Sequence, residues 1–192
     1  METFQLSEKL LKKIANLILA KKNTPLKKIV KDIHFADMAE IINELNEDQG
    51  IYLIKLFDSE KTSEILTELD EDVREKILKV LSVKEIADEI EELDSDDAAD
   101  ILGELSEKRK EEVISEISDD NLADDLKELL SYEEDSAGGL MAKELVQANE
   151  NWSVTKCLKE IKKQGENVTR VHSIYVVDDK QKLIGRLSLK DL

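Results

Sequence analysis

Apolar residues return at a fixed interval through the middle of the chain. Ile33, Phe57, Leu81 and Leu105 lie 24 residues apart, as do Ile42, Leu66, Ile90 and Ile114. Leu45, Leu69, Leu93 and Ile117 keep the same step, and so do Ile54, Leu78, Leu102 and Leu126. Within one unit the spacing is helical: Ile86, Ile90 and Leu93 step by four and then three. Asn46, Asp70, Asp94 and Ser118 recur ahead of each second half-unit, and all four are residue types that cap helix N-termini. The pattern predicts four helical hairpins, over 33–56, 57–80, 81–104 and 105–128. Short helices are marginal alone, so each hairpin must bury its apolar face on its neighbours. The predicted fold class is mostly α, a right- or left-handed α-superhelix of short helical hairpins.

The flanks have a different texture. Leu6, Leu10, Ile14, Leu17 and Ile18 share one face of an amphipathic helix predicted over 4–21. It reads as a cap on the end of the superhelix, although its lysines also suit a membrane surface. Asn23, Thr24 and Pro25 break it, and Pro25 suits the first turn of a second helix. Residues 1–32 are therefore read as capping helices and 33–135 as the superhelix. Ser136-Ala137-Gly138-Gly139 holds the one pair of adjacent glycines and marks a junction over 136–141. Beyond it, Ser153 caps a predicted helix running to Gln164. Val171–Val177 reads as a strand, Asp178-Asp179-Lys180-Gln181 as a turn, and Leu183–Leu187 as the hairpin partner. Ser188 then opens a further helix. Residues 142–192 form a partial α/β unit on this reading.

Charge sharpens the division. The sequence carries 45 acidic and 28 basic residues, a net charge of −17. Residues 1–34 carry +5, residues 35–137 carry −25, and residues 138–192 carry +3. Such a balance argues against nucleic acid as a partner, because phosphate binding needs Lys and Arg in excess. The acidic middle is either heavily solvated surface or a surface that attracts cations. Hydrophobic residues make up 41% of the sequence, enough for a packed core, so the acidity does not imply disorder. Cys157 is the single cysteine, which rules out a disulfide framework and predicts a reducing compartment. It falls on the apolar side of its predicted helix and reads as core. No apolar run approaches the roughly 20 residues that cross a bilayer, and no signal peptide is read at the start.

Paired carboxylates are the one chemical feature that stands out. Asp96 and Asp100 are four residues apart on a predicted helix and so point the same way, with Asp97 beside them. The residue equivalent to Asp100 is Tyr52, Lys76 and Asp124 in the other units, so the fold does not require an acid there. Asp120 and Asp124 share the spacing, which an acid-rich chain produces by chance. Hard oxygen donors suit Mg²⁺ or Ca²⁺ rather than zinc. Catalysis finds no support. His34 reads as a helix-start residue, His172 begins a strand with no nucleophile to serve, and Trp152 reads as packing. There is no P-loop, no Cys/His zinc spacing and no nucleophile elbow, so no enzyme is expected.

The stretch SYEEDSAGGLM, Ser131 to Met141, resembles the signature that joins the two cytosolic domains of MgtE-type magnesium transporters. The helical repeats ahead of it resemble that family's acidic N domain, which is similar in architecture to part of the flagellar motor switch protein FliG. IYVVDDKQKLIGRLSLKDL, Ile174 to Leu192, resembles the first motif of a CBS domain pair. The resemblance implies a cytosolic Mg²⁺ sensor, on the cytoplasmic side of the cell membrane. In the family Mg²⁺ holds the N domain against the CBS region and favours a closed pore, and its loss lets the acidic domains swing apart. DDAAD, Asp96 to Asp100, matches the family's acidic pair, so Asp96 and Asp100 are implied ligands with Asp97 beside them. The SEIL stretch matches a family glutamate and adds Glu64. The family continues with a second CBS motif, a connecting helix and a five-helix membrane domain, none of which these residues hold. Interdomain Mg²⁺ sites that draw on the second motif are therefore expected to be incomplete. CBS pairs often bind adenine nucleotides, and Ser188 and Asp191 match the positions that usually hold the ribose. One CBS half leaves an apolar face unpaired, so either a second copy of the chain covers it, as in a homodimer, or 140–192 is poorly ordered. The competing reading is a metal-independent, FliG-like α-superhelical module for protein interaction.

Overall fold

The computed structural model describes residues 6–165 and 173–188. Helix α1 (Glu8–Leu19) starts at Ser7, whose hydroxyl accepts the Leu10 N–H. It buries Ile14 and Ile18. The break falls slightly earlier than expected: Lys21 takes a φ of 50°, and α2 (Asn23–Val30) already begins at Asn23. Pro25 lies in its first turn, where the missing N–H costs no helical hydrogen bond.

Four helix pairs follow. They are α3 (Phe35–Asn43) with α4 (Glu47–Ile54), α5 (Ser59–Glu68) with α6 (Glu71–Val80), α7 (Val83–Ile90) with α8 (Ser95–Gly103), and α9 (Glu107–Glu116) with α10 (Asp120–Leu129). The first helices of the pairs begin 24 residues apart, at Phe35, Ser59, Val83 and Glu107. Each is too short to persist alone, and burial supplies the missing stability. Ile54, Leu78, Leu102 and Leu126 are buried in every pair, as are Ile42, Leu66 and Ile90. Asn46 caps α4 by accepting the Gln49 N–H at 3.0 Å. Ser118 does not cap α10. Its N–H is taken by the Glu91 carboxylate, and Asp119 Oδ1 accepts the Asn121 N–H at 2.8 Å instead.

Cations close the ends of the preceding helices at a repeated offset. Lys61 Nζ donates to the carbonyls of Val30 and Ile33, at 3.1 and 2.9 Å. Arg109, two units later, donates to those of Leu78 and Leu81. These carbonyls lie at helix ends, where the backbone leaves acceptors without an internal partner. In the third pair the equivalent residue is acidic. Glu85 there closes a capping box with Ser82 and pairs with Lys55 at 3.5 Å.

The chain divides into two compact units. One comprises residues up to Leu93 together with Asp97–Leu126, and the other Asp94–Asp96 together with residues from Lys127 on. In the second, β1 (Val146–Asn149) runs parallel to β2 (Ile174–Val177), and β3 (Leu183–Leu187) pairs antiparallel with β2. The crossover from β1 to β2 carries α11 (Val154–Gln164), capped by Ser153. Val146, Ala148, Cys157, Ile161 and Ile174 form its core, with Trp152 and Leu187 packed against it. Cys157 and Trp152 are thus packing residues. At the β2–β3 turn the Asp178 carboxylate accepts the N–H groups of Lys180 and Lys182, at 2.8 and 2.9 Å. Tyr175, Leu183 and Ile184 remain exposed. Val171, His172 and the helix expected after Ser188 fall outside the described residues.

Candidate functional site

Helix α8 presents the acidic pair, and its start is unusually well fixed. Ser95 is fully buried. Its N–H and hydroxyl both donate to the Glu144 carboxylate, at 3.0 and 2.9 Å, and its Oγ accepts the Lys143 N–H at 2.8 Å. A carboxylate from 49 residues downstream therefore caps α8 and meets the positive end of its dipole. Lys143 Nζ in turn pairs with Glu128 at 2.8 Å. That ammonium and the Tyr132 hydroxyl hold the Glu128 carboxyl below its usual range.

Asp96 is half-buried in the first turn of α8, while Asp97 and Asp100 are exposed. Glu64 lies exposed on α5. Among the described residues no group of three or more His, Cys, Asp or Glu side chains is placed to hold a metal ion. The chemistry of the donors still suits Mg²⁺, which keeps several waters and commonly takes only one or two carboxylates. Asp96 and Asp100 lie four apart on one helix. Ser188 follows β3 and is half-buried, and Asp191 lies outside the described residues. His34 is the N-cap of α3, its Nδ1 accepting the Ala36 N–H at 3.3 Å, and so has a structural use.

Three participants escaped the sequence reading. Ser95 and Glu144 are far apart in sequence, and no periodicity links them. Glu89 was detectable. It occupies the repeat position of Ile41, Ile65 and Val113, all fully buried. Glu89 is itself only 9% exposed, and its Oε2 is buried with no hydrogen-bond partner. Burial first, then the charges of Asp88, Glu85, Glu92 and Asp58, push its carboxyl up to about 8.

The family model for the MgtE intracellular N domain matches residues 33–135, more than half of the chain. The chain belongs to the MgtE family. A CBS domain model matches residues 137–192. Two MgtE relatives each match the chain over 64 residues. The magnesium transporter MgtE of Thermus thermophilus is 44% identical over its match, covering 33% of this chain and 14% of the relative. The magnesium transporter MgtE of Enterococcus faecalis is 36% identical, with the same shares of each. Each match thus spans about one seventh of its MgtE relative. Among solved structures, the cytosolic domain of the Mg²⁺ channel MgtE in complex with ATP superposes with a TM-score of 0.84 at 27% identity. That match covers 94% of this chain and 74% of the other. The soluble part of a magnesium transporter gives a TM-score of 0.77 at 23% identity, over 96% of this chain and 72% of that one, a likeness of fold. No helix of the described residues is long and apolar enough to cross a membrane.

Proposed function

We propose that this chain is the cytosolic Mg²⁺-sensing and gating part of a magnesium transporter. On this reading Mg²⁺ bound by Asp96 and Asp100, with Asp97 and Glu64 contributing, holds the N domain against the CBS region and favours the closed pore. The observation that carries it is the charge of −25 concentrated on residues 35–137 of a chain from the MgtE family. A surface so acidic is pushed apart by its own charge and drawn together by a divalent cation. Binding releases that repulsion, so occupancy and domain separation are linked, and separation becomes the response to falling Mg²⁺.

The position is the cytoplasmic side of the membrane, beside a pore domain that these residues do not include. A second copy of the chain is the expected partner of the CBS region, where Leu183 and Ile184 lie exposed. Adenine nucleotide is a second ligand on this reading, through Ser188 and Asp191, supported by the solved MgtE domain that holds ATP.

The test is calorimetric titration of MgCl₂ into the 192-residue chain and into the Asp96→Asn, Asp100→Asn double variant at constant ionic strength. The parent should show saturable binding, and the variant should lose at least about tenfold in affinity, near 1.4 kcal/mol. Identical isotherms would remove these residues as ligands. No binding by either would favour the metal-independent interaction module.

A further inference from the structure

The third repeat breaks the pattern of the others at one buried position. Where the first, second and fourth repeats bury Ile41, Ile65 and Val113, the third buries Glu89. An aliphatic residue is the packing solution that the fold uses three times, so the carboxyl is not there for stability. Its surroundings make the charge harder to carry. Glu85 and Asp88 on its own helix act on it, as do Glu92 just beyond the helix end and Asp58 at the start of α5. The cations nearby are engaged elsewhere: Lys55 pairs with Glu85. From α9, the other helix packed on α7, Arg109 donates one terminal nitrogen to the carbonyls of Leu78 and Leu81 while its Nε stays buried without a partner, Lys108 pairs with Glu112, and Lys110 with Glu107; none of these cations acts on Glu89. One carboxyl oxygen of Glu89 is left buried without a partner.

We propose that Glu89 is a proton-binding site, and that its protonation sets how firmly α7 is held between α5 and α9. The neutral acid fits the position that isoleucine and valine fill in the other repeats. The carboxylate does not, because it would stand uncompensated among four other acids. The inference rests on the repeat and on the packing of α7, independently of where Mg²⁺ binds. It matters for α8, which follows α7 in the same hairpin.

The sign follows from the two states. With α7 packed, Glu89 titrates near 8; with α7 released, it returns toward the ordinary 4.5. Packing therefore takes up a proton between those values. The hold on α7 is full below about pH 4.5, weakens as pH rises toward 8, and is flat above. Within that window the opening equilibrium of α7 should rise up to about tenfold per pH unit.

Two measurements test this on the full chain. Carboxyl ¹³C chemical shifts should show Glu89 titrating well above every exposed glutamate. Amide hydrogen exchange, corrected for its intrinsic pH dependence, should show α7 opening more readily from pH 5 to 8. Glu89→Gln should abolish that slope, and Glu89→Ile should raise protection of α7 at every pH. A Glu89 midpoint near 4.5, or the same α7 slope in parent and Glu89→Gln, would overturn the proposal.

Discussion

Arg74 joins two consecutive repeats, and removing it gives a quantitative test of how the hairpins are tied. Its Nε donates to Glu104 at 2.8 Å, and one terminal nitrogen donates to the carbonyls of Leu66 and Leu69 at 3.0 and 3.2 Å. Both charged side chains are only 16% exposed. Arg74→Met leaves the Glu104 carboxylate without its cation, and its Oε2 is already buried and unpartnered. Breaking one side of a buried pair costs about 3–5 kcal/mol. The residual exposure places this pair at the lower end, near 3 kcal/mol. For a chain of this size that is a fall of roughly 6–12 °C in Tm. Arg74→Met with Glu104→Met removes both charges and should recover most of the loss. Recovery should stop about 1 kcal/mol short, because the carbonyls of Leu66 and Leu69 still lack their donor. Urea unfolding followed by far-UV circular dichroism measures all three proteins. A single-variant cost below 1 kcal/mol, or a double variant as unstable as the two singles summed, would refute the reasoning.

Three further outcomes are expected. Ser95→Ala should destabilise by about 1–2 kcal/mol, since it strips hydrogen bonds from Glu144 and Lys143 at a buried site, and urea melts report it. Gly139→Ala should cost more than Gly138→Ala in thermal melts. A Cβ at 139 would meet the Glu133 and Glu134 carbonyls at 2.5 and 2.7 Å, whereas at 138 it meets the Tyr132 side chain, which is 43% exposed and can shift more readily than backbone. The Glu85 carboxyl is held below its usual 4.5 by the Ser82 backbone and hydroxyl, with Lys55 adding to this. It therefore stabilises the fold above its unfolded pKa and loses that effect as pH falls through its folded value. Glu85→Gln should flatten the acid limb of a stability–pH curve, and an unchanged limb would reject the assignment.

The repeat was legible because a solenoid repeats its burial as well as its residues. Ile54, Leu78, Leu102 and Leu126 align in sequence and are all buried, so one column predicted a row of the core. The cap was misplaced by one residue: Asp119 caps α10, and the Ser118 N–H is held by the Glu91 carboxylate, a contact across 27 residues that no local rule anticipates. Glu144 at the head of α8 was invisible for the same reason. Glu89 was hidden by its charge: a search for apolar columns passes over the one that an acid interrupts. The helix and the hairpin after the glycine pair were readable from Ser153, the turn at Asp178 and the strand residues around it, whereas β1 is only four residues long and carries no turn signal of its own. The acidic pair on α8 was located by spacing, because residues four apart share one helix face.

The central claim is that Mg²⁺ is a specific ligand of this acidic chain. It is tested most directly by thermal melts in MgCl₂ against NaCl of matched ionic strength. A site filled at tenfold its dissociation constant adds about 1.4 kcal/mol, or roughly 3–6 °C. MgCl₂ should raise Tm by that amount beyond any rise with NaCl. Equal rises in the two salts would mean screening of the acidic surface alone and would contradict it.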